Sequence, residues 1–117
     1  MNNFRELKVW QKARVHTKDT YNILKHFPDD EKFGLTSQIK RASISISSNI
    51  AEGAGRNSDA DFSRFLDIAL GSCFEVDSQF TLAFDLEFIN KEEYEKIINS
   101  IFEIERMLIG LIKSMRK

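Results

Sequence analysis

Apolar residues return every three or four positions along most of this chain, and nowhere does a strict apolar–polar alternation run long enough for a strand. Trp10, Ala13, Thr17, Thr20, Leu24 and Phe27 keep that step until Pro28 stops it, which predicts a first helix over about residues 5–27. After a short connection, Leu35, Ile39, Ala42, Ile46, Ile50 and Gly53 share one side of a second helix that ends at Gly53-Ala-Gly55. Its interior is rich in Ser and β-branched residues, so tertiary packing rather than propensity must hold it. Ser58, with Asp61 three residues on, has the form of a capping box, and Asp59 adds negative charge where the helix dipole favours it. From there Phe62, Leu66, Ala69, Cys73, Val76, Phe80 and Ala83 step four and three without a fault. Ile97, Ile101, Ile104, Leu108, Leu111 and Met115 then mark a fourth helix that starts near Lys91 and runs to the C-terminus.

Helices of about 20 to 27 residues are roughly 30 to 40 Å long. Four of them joined by short links predict an all-α fold, an antiparallel up-down-up-down four-helix bundle forming one domain over residues 1–117. The third helix carries a second apolar set, Phe65, Leu70, Phe74 and Phe84, and the fourth another, Ile98, Phe102, Ile109 and Ile112. Either the core is wide or these stripes are covered by another copy of the chain.

Composition narrows the class. With 42% hydrophobic and 30% charged residues, the chain lies far from the disordered corner, and a length of 117 residues suits a single core. One Cys and no run of about 20 apolar residues point to a cytoplasmic protein without a membrane span. The net charge of −1 is unevenly placed: residues 1–58 hold ten basic and six acidic side chains, residues 59–117 seven and twelve. Such asymmetry fits a basic binding face, or complementary rims between packed helices.

Catalytic and metal chemistry find no apparatus in the residue pattern. Neither His16 nor His26 follows a Glu by three residues, as a di-metal bundle requires, and one Cys with two His on one helix cannot make a zinc site, so no metal or cofactor is expected. Both histidines read as surface or rim side chains. Cys73 lies in the apolar seam and reads as a buried, unreactive thiol. Glu105, between Ile101 and Leu108, reads as a carboxylate that pairs with a cation at an interface.

The remaining candidates are cationic or small. Arg5, Lys8 and Lys12 form one stripe on helix one and Arg14, Lys18 and Lys25 another, with Lys40, Arg41 and Arg56 adding to the basic half. Cations spaced along a helix can neutralise successive phosphates, although any amphipathic helix also has a solvated charged face. The segment from Gly53 to Ser58 reads as a helix-terminating turn. Ser45, Asn49 and Glu52, with Arg41, share the outer face of helix two and read as a hydrogen-bonded structural or interfacial set.

The run Gly34-Leu-Thr-Ser-Gln-Ile-Lys-Arg-Ala-Ser-Ile-Ser-Ile-Ser-Ser-Asn-Ile-Ala-Glu-Gly-Ala-Gly-Arg56 carries a resemblance, together with Leu7-Lys-Val-Trp-Gln-Lys-Ala13, Phe27-Pro28 and Phe65-Leu-Asp-Ile-Ala-Leu-Gly-Ser72. It resembles the four-helix-bundle family of 23S rRNA intervening-sequence proteins, which includes the accessory variability proteins of diversity-generating retroelements. The resemblance implies a ring-shaped homopentamer without catalytic activity, and, in retroelement members, a basic surface that binds nucleic acid and a reverse transcriptase. Arg41, Ser45, Asn49, Glu52, Gly53 and Arg56 match the family's motif positions. Retroelement members are markedly basic, whereas this chain is slightly acidic. The expectation is a non-catalytic, homo-oligomeric RNA- or DNA-binding accessory protein that contacts phosphates through Arg5, Lys8, Lys12, Arg14, Lys18, Arg41 and Arg56. The alternative is an oligomeric protein–protein interaction scaffold that binds no nucleic acid.

Overall fold

The computed structural model describes residues 2–116. Four helices follow one another: α1 Lys8–Leu24, α2 Leu35–Ala54, α3 Asp59–Asp85 and α4 Lys91–Met115. Short 3-10 turns at Phe4–Glu6 and Asp29–Glu31 precede α1 and α2. Each helix packs on its two neighbours in the cycle α1–α2–α3–α4, and neither diagonal pair meets. The result is an up-down bundle measuring 43 × 23 × 20 Å.

Local chemistry sets the helix ends. The Ser58 side chain accepts a hydrogen bond from the Asp61 N–H, which caps α3. Asn90 and Glu93 form a reciprocal capping box that fixes the start of α4 at Lys91. Between α3 and α4, the Phe88 N–H donates to the Ala83 carbonyl at 2.9 Å and the Glu87 N–H to that of Phe84 at 3.0 Å. That pairing is a Schellman motif, and it holds Glu87 at φ 65° without the glycine such a position favours.

The faultless period of α3 carries over directly, since Phe62, Leu66, Ala69, Cys73, Val76, Phe80 and Ala83 are all buried. Helix one is corrected in two ways. The chain breaks at Leu7, which is extended with ψ 122°, so Phe4–Glu6 is a separate turn rather than the start of one helix. Its buried line runs through Val9, Ala13, His16, Thr20 and Leu24 rather than through Trp10 and Thr17. His16 is therefore a core residue with no exposed surface, not the rim side chain expected. The cause is that polar side chains satisfy it there: Thr20 Oγ1 lies 3.2 Å from Nε2 and Ser100 Oγ 3.5 Å from Nδ1. Burial holds the imidazole neutral, with its pKa down at about 4.

Helices α2 and α3 approach most closely. A Cβ on Gly53 would stand 2.7 Å from Phe65 Cβ and 3.0 Å from Phe62 Cδ1, so only glycine fits between them. Between α1 and α4 the fit is looser, and a row of surface recesses runs along that seam.

Candidate nucleic-acid interface

The seven cations singled out in the sequence do not share one surface. Arg14 and Lys18 are exposed on the side of α1 that borders α2, and Lys25 continues their line at helical spacing. The Arg14 guanidinium lies 5.7 Å from the Trp10 ring centre. Tyr21 occupies the same stripe, and Lys40 from α2 reaches over its ring at 5.1 Å. Arg14, Lys18, Lys25 and Lys40 thus form one basic face with two aromatic rings set into it. Among the described residues, none of these four forms an ion pair.

Lys8 and Lys12 stand on the opposite flank of α1. They line a recess of about 540 Å³ with Gln11, Val15, Glu103 and Met107. Lys12 Nζ lies 2.8 Å from Glu103, so part of that charge is answered within the chain. Arg5 belongs to the first 3-10 turn and lies 5.2 Å from the Phe4 ring centre. Arg41 faces the α2–α3 seam, beside Ser45 and Glu75. Arg56 pairs with Glu52 at 3.3 Å and rests 4.7 Å over the Phe65 ring, with Arg64 on the same ring at 5.6 Å.

The small polar set on α2 makes contacts of its own. Ser72 Oγ donates to Ser45 Oγ at 2.9 Å across the α2–α3 seam, and Asn49 Nδ2 donates to the Ser45 carbonyl at 2.8 Å and its Oγ at 3.0 Å. Glu52 faces solvent with Arg56, and Gly53 supplies the close approach described above. Cys73 is wholly buried, and burial together with the Glu105 charge pushes its thiol up to about 12, which leaves it no thiolate to react.

Glu105 forms no ion pair among the described residues, and its Oε2 is shielded from solvent with no hydrogen-bond partner. Its pKa is raised by burial and by the Asp77 carboxylate, with Arg106 acting in the other direction. Of the second apolar sets, Ile98 and Ile112 are buried, whereas Phe74, Phe102 and Ile109 are 53%, 40% and 39% exposed.

Tyr21 and the pairing of Lys12 are what the sequence reading missed. Tyr21 follows Arg14 by seven residues, two turns along the same stripe, so the pattern contained that signal. The Lys12–Glu103 contact joins the first helix to the last and has no local signature.

The four helices, each packed on two neighbours, define an all-α four-helix bundle. The model of the 23S rRNA-intervening sequence protein family matches residues 5–110, and the chain belongs to that family. A solved structure of a protein with unknown function from the S23 ribosomal protein family of Bacteroides thetaiotaomicron VPI-5482 is similar to it. The two share 35% identity and superpose with a TM-score of 0.84 over 90% of this chain and 98% of that one. No curated protein matches the chain. Among the described residues, no helix is long and apolar enough to cross a membrane.

Proposed function

We propose that this chain is a non-catalytic, homo-oligomeric RNA-binding accessory protein of the cytoplasm, and that the face shared by α1 and α2 holds the RNA. One observation carries the reading: Arg14, Lys18 and Lys25 are exposed along one stripe, half-buried Lys40 reaches over Tyr21 of that stripe, and none of the four has a carboxylate partner among the described residues. Arg14 to Lys25 spans about 16 Å of helix, room for several phosphates. The net charge of −1 does not oppose this, because attraction follows the charge a face presents and not the sum over the chain. Tyr21 and Trp10 add flat surfaces on which unpaired bases can stack. RNA is favoured over DNA by the family description, which names 23S rRNA. Arg41 and Arg56 lie outside this face and extend it only if the RNA wraps over α2; Lys8 and Lys12 belong to another surface. A ring of about five copies, as the family resemblance implies, multiplies the face by symmetry.

Gel-shift titration of a structured RNA at low and at moderate salt tests this. The wild-type chain binds at low salt and weakens as salt rises, while Arg14→Glu with Lys18→Glu loses about tenfold or more in affinity. No binding at low salt, or equal binding by the double variant, rejects the proposal. Nuclease-resistant capture of a polypeptide by a protein that binds no RNA selects the scaffold alternative instead.

A further inference from the structure

Along the α1/α4 seam, the most enclosed recess lies where Asp19, Asn22 and Ile23 of α1 face Lys96, Ile97 and Ser100 of α4. Its volume of about 290 Å³ is at the small end of ligand pockets, a size for one planar ring system and not for a folded peptide. Ile23 and Ile97 give it apolar walls, and Ser100, which reaches the buried His16, marks its inner side. Asp19 is half-buried there and forms no ion pair among the described residues, and, unlike Glu105, it has no oxygen sealed away from a ligand. The second carboxylate of the recess, Glu93, is engaged in capping α4.

Asn22 joins this recess to the basic face. It is exposed, four residues after Lys18 and three before Lys25, so it stands between those two cations on α1 while it also lines the recess. An RNA strand held by Lys18 and Lys25 therefore has its phosphates one residue's width from the opening, and a base turned out of its stack passes over that rim. Unpaired bases are the part of RNA that side chains read, on their Watson–Crick and Hoogsteen edges.

The acid and the cation of the recess discriminate among the four bases. A carboxylate only accepts hydrogen bonds, and its two oxygens can take two adjacent donors at once. Guanine alone offers such a pair, N1–H and the N2 amino group, with the acceptor O6 next in line. Adenine and cytosine set an amino group beside a ring-nitrogen acceptor, and uracil sets its one N–H between two carbonyls, so each of these turns a lone pair toward Asp19. Lys96 is exposed and comes from the helix opposite Asp19 without pairing with it. Its ammonium suits O6 and opposes the amino group that adenine carries at the same place. We infer that the recess takes the guanine base of an unpaired RNA nucleotide, with Asp19 accepting from N1–H and the N2 amino group and Lys96 donating to O6. This rests on the RNA-binding reading proposed above and adds a base preference to it. Asp19 sets specificity, whereas the cations of the α1/α2 face supply affinity that carries no sequence information.

Fluorescence anisotropy at low salt with labelled single strands of adenosine tests the site, one strand unmodified and two others carrying one central guanosine or one inosine, which lacks the N2 amino group. Wild type is expected to hold the guanosine strand about tenfold tighter than the adenosine strand, with the inosine strand between them. Asp19→Asn erases that preference, keeps its helical content by circular dichroism, and holds the adenosine strand at least as tightly as wild type, because a negative charge beside the phosphates is gone. Lys96→Met narrows the preference for guanosine and inosine alike over adenosine, and it takes the place of Asp19→Asn should that variant unfold. Equal affinity of wild type for all three strands, or a preference that survives in the folded variants, overturns the guanine site while leaving the RNA-binding face intact. Binding of no strand overturns both. Binding of guanosine monophosphate in preference to adenosine monophosphate, with the three strands held equally, also overturns it, since the recess then serves a free nucleotide.

Discussion

Substituting Ala for Gly53 puts a methyl group into the closest point between α2 and α3, and the structure fixes what it meets. The new Cβ stands 2.7 Å from Phe65 Cβ, 3.0 Å from Phe62 Cδ1 and 3.3 Å from the Phe62 carbonyl oxygen. Carbon atoms prefer about 3.5–4.0 Å, and Phe65 Cβ is fixed to its backbone, so α3 must move by up to about 1 Å. Overpacking of this kind costs about 1–3 kcal/mol. Opposing it, replacing Gly by Ala inside a helix gains up to about 1 kcal/mol. The clash wins, for a net loss of about 1–2 kcal/mol and a fall of roughly 5–10 °C in Tm. Gly71, in the interior of α3, supplies the control: a Cβ there meets nothing within 4 Å, so Gly71→Ala shows the helix gain alone. Urea unfolding followed by circular dichroism at one protein concentration compares the two. The reasoning fails if Gly53→Ala is as stable as wild type, or as stable as Gly71→Ala.

Two further substitutions probe the same fold. His16 binds a proton with a pKa of about 4 in the folded chain and an ordinary 6.5 once unfolded, so the unfolded state takes up more protons between those values and stability falls as pH drops from 6.5 toward 4. That loss is about 3 kcal/mol in all, and His16→Leu should flatten this part of the stability–pH curve relative to wild type; an unaltered slope contradicts a buried neutral imidazole. Glu87 is held at φ 65° in the Schellman turn, so Glu87→Gly should raise stability by about 1 kcal/mol in thermal or urea unfolding, and a loss of that size would show that its side chain matters more than its backbone.

Sequence periodicity revealed the helices of this bundle to differing degrees. For α3 it named every buried apolar position, because a helix flanked on two sides by close neighbours hides a regular a/d seam, with the buried Ser63 and Ser72 lying beside that seam and not in it. On α1 the buried seam includes two polar residues, His16 and Thr20, which bond each other while Ser100, on the last helix, meets the other side of the imidazole. No local pattern announces a contact across 84 residues. The basic face was legible in part: the stripes of cations are in the sequence, but which stripe faces α2 and which faces α4 depends on helix rotation. That rotation separates Arg14 and Lys18 from Lys8 and Lys12, and it gives Lys12 to Glu103. Glu105 was marked by its place between Ile101 and Leu108 as a carboxylate that pairs with a cation, and among the described residues no cation pairs with it.

Salt dependence of RNA affinity tests the central claim most directly. Each phosphate contact on a single strand contributes about −0.7 to the slope of log K against log salt. Removing two contacts with Arg14→Ala and Lys18→Ala should therefore make the slope shallower by about 1.4, with the oligomer mass unchanged. A slope identical to wild type, or no measurable RNA affinity at the lowest salt, would contradict an RNA-binding role for the α1/α2 face.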